Sequence, residues 1–125
     1  SLKRDERVVL MEGLNARYFK EEFIPEKVDL ITVDVSFISL KLIIPPLIPA
    51  LQWKGYLLAL FKPQFEVGKK DVGKGGIVRK IDKVLEKMEE IINFAKDLKL
   101  KFIGSCPSPI KGQKGNQEYF LLFQK

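Results

Sequence analysis

Three strongly apolar runs in this chain each carry a charge at one end. VDLITVD (28–34) closes on Asp34, YLLALFK (56–62) closes on Lys62, and EYFLLF (118–123) opens on Glu118. A near-continuous apolar run of this length reads as a strand covered on both faces, so these segments call for a buried sheet. A lone charge at the rim of such a sheet is costly unless it is paired or solvated. Three charges of mixed sign converging on one edge would form an active-site constellation, so the topology decides what the chain can do.

The remaining pattern supplies that topology. RVVLME (7–12) and LKFIGSC (100–106) read as two more strands, and EYFLLFQ (118–124) as the last. SLKLIIPPLIPALQW (39–53) is helical but broken, because Pro45, Pro46 and Pro49 force an interruption or a restart. KGYLLALFK (54–62) is a strand introduced by a Gly turn. The clearest helix covers about 82–99, where Val84, Leu85, Met88, Ile91, Ile92, Ala95 and Leu98 share one face. Alternating strands and helices predict an α/β domain with a mostly parallel sheet. The last two strands lack a helix between them and should pair as an antiparallel hairpin. Asp34 and Lys62 then sit at carboxyl ends of parallel strands, and an antiparallel final strand starts at that same edge, beside them, with Glu118. Open α/β sheets bind ligands at that edge.

Composition narrows the chemistry. The length of 125 residues fits one domain with one modest core. A formal net charge of +6 favours a polyanionic partner, most readily nucleic acid, although Lys-rich surfaces are often merely solvated. The chain has no histidine, which removes His-based triads and bases and most zinc sites, so no metal is expected. Its single cysteine, Cys106, has no intrachain partner and no histidine to activate it, which points to a reducing, intracellular setting. The longest apolar stretch, LKLIIPPLIPAL (40–51), is interrupted by prolines and too short to span a bilayer, and no signal peptide opens the chain.

PQFEVGKKDVGKGGIVRK (63–80) matches neither strand nor helix. Its Gly68 to Gly73-Lys74 spacing is that of a phosphate-binding loop, but position 75 is Gly where a Mg²⁺-binding hydroxyl is needed. It reads better as an RNA-facing lid built from Lys69, Lys70, Lys74, Arg79 and Lys80, with Lys111 and Lys114 extending the basic rim. The plain alternative is a solvated loop. Phe65, next to it, is expected to pack in the core rather than stack on a base. The rim charges have plain alternatives as well. Lys62 could snorkel, Asp34 or Ser36 could cap the following helix, and Glu118 could form a surface ion pair with Lys111 or Lys114.

VDVSFISL (33–40), FKPQFEVGKKDVGKGGIVR (61–79) and GNQEYFLLF (115–123) closely resemble the TlyA-type, or hemolysin A, family. Its members are S-adenosylmethionine-dependent ribosomal RNA methyltransferases, and their catalytic domain belongs to the FtsJ/RrmJ-like group of ribose 2′-O-methyltransferases. The resemblance covers essentially the whole chain and implies a Rossmann-like methyltransferase sheet. It implies that Asp34, Lys62 and Glu118 stand for three members of the family's Lys-Asp-Lys-Glu tetrad, which positions the ribose 2′-hydroxyl and helps remove its proton. EGLNAR (12–17) resembles the loop beside the cofactor's adenine, which makes Leu14 and Asn15 implied S-adenosylmethionine contacts, with Asp34 a third. The implied partner is ribosomal RNA or a ribosomal subunit, with cytidine the family's usual target, in the cytoplasm and not at a membrane.

The chain departs from the family at its start. The tetrad's first lysine, the Gly-rich strand-turn-helix for the cofactor's methionine part, the strand after it and the S4-like RNA-binding module have no counterpart here. Residues 1–125 are therefore expected to be a carboxyl-terminal piece of a longer enzyme, inactive alone and able to self-associate through an open sheet edge. Two rivals are a non-catalytic RNA-binding module of the same fold and a membrane-lytic hemolysin.

Overall fold

In a computed structural model, residues 27–68, 71–112 and 115–125 are described. Their elements run β1 (Val28–Val33), α1 (Leu40–Leu47), β2 (Leu51–Phe61), α2 (Pro63–Glu66), α3 (Ile81–Asp97), β3 (Lys101–Pro107) and β4 (Tyr119–Gln124). The four strands form one sheet in the order β1-β2-β4-β3. β1 pairs parallel to β2, with Val33 opposite Ala59. β4 lies antiparallel between β2 and β3, with Tyr119 opposite both Phe61 and Pro107. Strand, helix, strand, helix and a terminal hairpin follow one another as the sequence pattern predicts, but α2 lies in a segment read as having no helix. Among the described residues one strand pair is parallel and two are antiparallel, so the sheet is mixed and not mostly parallel. The expected strand at 7–12, together with Leu14 and Asn15, lies outside the described residues.

The core follows from period-two burial in the strands and a stripe on each helix. Val33 of β1, Leu57, Ala59 and Phe61 of β2, and Leu121 and Phe123 of β4 are buried against Ile43 and Ile44 of α1 and Val84, Met88, Ile91 and Ala95 of α3. Burial of each large apolar side chain contributes about 1.5–3 kcal/mol before the entropy of ordering is subtracted. Leu58, Leu60, Phe120 and Leu122, on the other face, are only half-buried among the described residues. Leu85 departs from the expected α3 stripe and is exposed. It stands one residue, or about 100°, round from Val84, at the margin of the packed face.

Local chemistry sets the element ends. Pro45 and Pro46 sit inside α1, where neither can donate a backbone hydrogen bond, and the helix stops one residue later at Leu47. A 3₁₀ turn, Ile48–Ala50, follows with Pro49 in it, which is the expected restart. α1 is capped by Ser39, whose Oγ accepts from the Lys41 amide at 3.1 Å. Neither Asp34 nor Ser36 is the cap, because the helix begins only at Leu40. β2 begins at Leu51 rather than near Lys54: Val28 pairs with Leu51 and Leu30 with Tyr56, so the residues between bulge out of the ladder. Gly55 in that bulge lies so close to Asp29 that a Cβ would stand 2.9 Å from the Asp29 carbonyl oxygen. No helix among the described residues is long and apolar enough to cross a membrane.

Candidate active site

The carboxyl ends of β1 and β2 bring two opposite charges together. Lys62 Nζ lies 2.6 Å from Asp34 Oδ1. It also donates to Ser36 Oγ at 3.2 Å. The Lys62 side chain is 14% exposed and that of Asp34 70%, so the amine is held low at the rim and the carboxylate faces solvent. Lys62 has an extended backbone (φ −112°, ψ 103°), as the Pro63 that follows requires. It is thus a paired lysine, not a snorkelling one.

Glu118 is the residue before β4, one position beyond the Tyr119–Phe61 pair, which puts it at the same rim as Lys62. It is only 5% exposed. Its Oε2 accepts a hydrogen bond from Gln64 Nε2 at 2.9 Å. Gly112 packs directly on the carboxyl group: a Cβ there would fall 1.8 Å from Glu118 Oε2. A surface ion pair with Lys111 is therefore not its role, since Glu118 is buried behind Gly112 while Lys111 is exposed. Lys114 lies outside the described residues.

The single turn α2 supplies contacts that charge and strand pattern did not single out. Besides Gln64 on Glu118, the Phe65 ring packs against Phe37 with centroids 4.8 Å apart. Phe65 is half-buried, and the ring that reaches solvent is Phe37, 82% exposed. Phe37 has φ 65°, a conformation that costs a bulky residue roughly 1–3 kcal/mol and that the surrounding contacts must hold. Glu66 is buried and accepts from Ser39 Oγ at 2.7 Å and from the Leu40 amide at 2.9 Å. Burial pushes its carboxyl above the ordinary glutamate value; the Ser39 hydroxyl, the Leu40 amide and the more distant Lys87 and Lys41 pull the other way. Gln64 Oε1 is buried with no hydrogen-bond partner among the described residues. The signal for Gln64, Phe65 and Glu66 was in the FKPQFE segment, of which only the lysine carries an obvious charge at a strand end.

Between residues 71 and 80 the basic loop is tied by its own backbone hydrogen bonds. Gly73 donates its amide to the Ile77 carbonyl at 2.7 Å, and Gly76 donates to Gly73 at 3.0 Å across the 3₁₀ turn Lys74–Gly76. Those amides are spent inside the loop and form no phosphate cradle. Asn116 clasps the loop to the rim: its Oδ1 accepts from the Val78 amide at 2.9 Å and its Nδ2 donates to the Gly76 carbonyl at 2.9 Å. Of the cations proposed to face RNA, Arg79 and Lys111 are exposed, while exposed Lys80 leans on Asp71 at 3.4 Å. Lys69, Lys70 and the side chain of Lys74 lie outside the described residues.

The family model for FtsJ-like methyltransferases matches residues 1–125. The chain is 40% identical over 121 residues to the 16S/23S rRNA (cytidine-2′-O)-methyltransferase TlyA of Mycobacterium tuberculosis, covering 97% of this chain and 45% of that protein. It is 40% identical over 127 residues to Hemolysin A of Brachyspira hyodysenteriae, covering 98% of this chain and 51% of the relative. The crystal structure of a "putative hemolysin" from Lactococcus lactis superposes with a TM-score of 0.88 at 40% identity, over 98% of this chain and 59% of that one. The chain thus spans about half the length of the curated relatives it matches. With a match along its full length and a shared fold, the chain belongs to the FtsJ-like methyltransferase family.

Proposed function

We propose that the protein containing this chain is an S-adenosylmethionine-dependent methyltransferase acting on the ribose 2′-hydroxyl of ribosomal RNA, with cytidine as the target nucleoside. The observation that carries the reading is Lys62, a largely buried amine held at 2.6 Å by Asp34 on the carboxyl edge of the sheet. Glu118 stands at the same rim. M. tuberculosis TlyA, with its cytidine-2′-O activity, is the relative that bears on the substrate.

Such a transfer needs few parts. The hydroxyl must be aligned with the methyl carbon, and its proton must pass to a base or to solvent. In this reading Lys62 and Glu118 orient the hydroxyl, and Asp34 fixes the lysine. S-adenosylmethionine supplies the methyl group from a cationic sulfonium. An exposed carboxylate such as Asp34, on the edge where α/β sheets bind ligands, fits a ligand carrying that charge and an ammonium. Leu14 and Asn15 complete the proposed cofactor contacts. The exposed Phe37 ring beside Ser36 offers a stacking face for a base. Lys69, Lys70, Lys74, Arg79, Lys80, Lys111 and Lys114 are proposed to meet RNA phosphates, and that partner would place the protein in the cytoplasm.

Residues 1–125 then form part of the catalytic domain, with cofactor binding completed by the rest of the protein. Calorimetry with S-adenosylhomocysteine tests this on the whole protein and on residues 1–125 alone. Binding by the whole protein is expected; its failure to bind would favour a non-catalytic RNA-binding module. The same reading expects residues 1–125 alone to self-associate through a sheet edge, which a monomeric scattering profile would contradict.

A further inference from the structure

Glu66 and Glu118 are the two buried carboxylates among the described residues. Glu118 stands at the rim itself. Glu66 lies behind it, and helix capping alone does not account for its presence. Ser39 already caps α1 by accepting from the Lys41 amide. Burying a carboxylate to serve one more helix amide is a costly choice where solvent or a neutral acceptor would suffice.

The contacts of Glu66 belong to a longer series. Three residues of the Lys62–Glu66 segment, namely Lys62, Phe65 and Glu66, touch the stretch from Asp34 to Leu40. Lys62 holds Asp34 and Ser36 at one end. The Phe65 ring holds Phe37 in the middle. Glu66 holds the Ser39 hydroxyl and the Leu40 amide at the other end. Between those anchors the loop carries the positive φ of Phe37, which relaxes unless both ends are fixed. Both partners of Glu66 are donors, and only a carboxylate presents two acceptor oxygens to them.

We propose that Glu66 is a positioning residue: it locks the Asp34–Ser39 loop onto the turn that follows Lys62 and thereby sets Asp34, Ser36 and Phe37 for the transfer reaction. This rests on the function proposed above.

Glu66→Gln and Glu66→Asp in the whole protein test it. The amide keeps one acceptor for the Leu40 amide but replaces the other by a donor, so the Ser39 hydroxyl must turn from donating to accepting. The aspartate keeps the charge, but its shorter arm does not span both partners. The expected result is a kcat at least tenfold lower for each variant, measured well below its melting temperature. A residue that only stabilises the fold would lower the melting temperature and leave the kcat of folded enzyme unchanged.

Phe37→Trp in a background with Trp53 and any other tryptophan replaced by Phe, read by fluorescence anisotropy and not by activity, reports on the loop directly. Adding Glu66→Gln or Glu66→Asp is expected to lower the anisotropy of the introduced indole. Unchanged anisotropy, or kcat within twofold of wild type for both variants, overturns the proposal. Should the wild-type protein transfer no methyl group, the proposed function fails, and the anisotropy alone decides the role of Glu66.

Discussion

Gln64 Nε2 donates to Glu118 Oε2 at 2.9 Å, which ties the turn leaving β2 to the start of β4. Through this bond the buried Glu118 carboxylate is held at the edge where Asp34 and Lys62 meet. Removing the donor leaves a buried acceptor short of a partner, at a cost of about 1–3 kcal/mol. Gln64→Leu is expected to lower stability by about that amount and to reduce methyl transfer. Denaturant unfolding and turnover of the whole protein check both effects.

Gly112 leaves no room for a side chain, since a Cβ would stand 1.8 Å from Glu118 Oε2. Gly112→Ala must push the carboxyl group aside, an overpacking effect of about 1–3 kcal/mol. Activity is expected to fall by more than tenfold while far-UV circular dichroism is retained. Wild-type turnover in this variant would show that the position of Glu118 is unimportant.

Lys62 and Asp34 differ in exposure, and so in what removing each partner does to the fold. Lys62→Met keeps the apolar stem and removes the donor from two groups, the well-solvated Asp34 carboxylate and the Ser36 hydroxyl. The melting temperature should shift little, because an exposed carboxylate loses little by losing its partner. Turnover should fall by about 10²-fold or more, the scale of a lost acid–base or orienting group. A thermal melt alongside a kinetic assay separates the two effects.

Glu66 gives the stability a pH dependence of known sign. Its folded-state carboxyl is raised above the ordinary value of 4.5, chiefly by burial. The folded protein therefore holds this proton more tightly than the unfolded chain does. Its contribution is fully present below the unfolded value and is lost as pH rises through the folded one. The stability of wild type minus that of Glu66→Gln is expected to shrink as pH rises from about 4 towards neutrality. Unfolding curves across that range check it, and a difference that grows with pH would contradict the burial argument.

Asn116 holds the basic loop through Val78 and Gly76. Asn116→Ala should free that loop, seen as faster amide hydrogen exchange at Val78 with the β2 and β4 amides still protected.

The sheet was readable in the sequence because three of its four strands are apolar runs with a charge at one end. The antiparallel hairpin followed from the lack of a helix between β3 and β4, and the hairpin in turn placed Glu118 at the Lys62 edge. Helix α3 announced itself through its period, though Leu85 fell just outside the packed stripe. What did not read out was polar support. Gln64, Glu66 and Asn116 have no periodic signature, and each finds its partners 26 to 54 positions away. The cap of α1 was misplaced for a related reason: several serine and aspartate candidates precede the helix, and only the backbone conformation selects Ser39.

The most direct test is the chemical form of the product. The whole protein is incubated with ribosomal subunits and S-adenosylmethionine labelled in its methyl group, and the RNA is then hydrolysed in alkali. A 2′-O-methyl group blocks cleavage of the adjoining phosphodiester, so the label should survive in an alkali-resistant dinucleotide and vanish in Asp34→Ala, Lys62→Met and Glu118→Gln. Label recovered in mononucleotides, or full labelling by those variants, would contradict the assignment of this rim to ribose methylation.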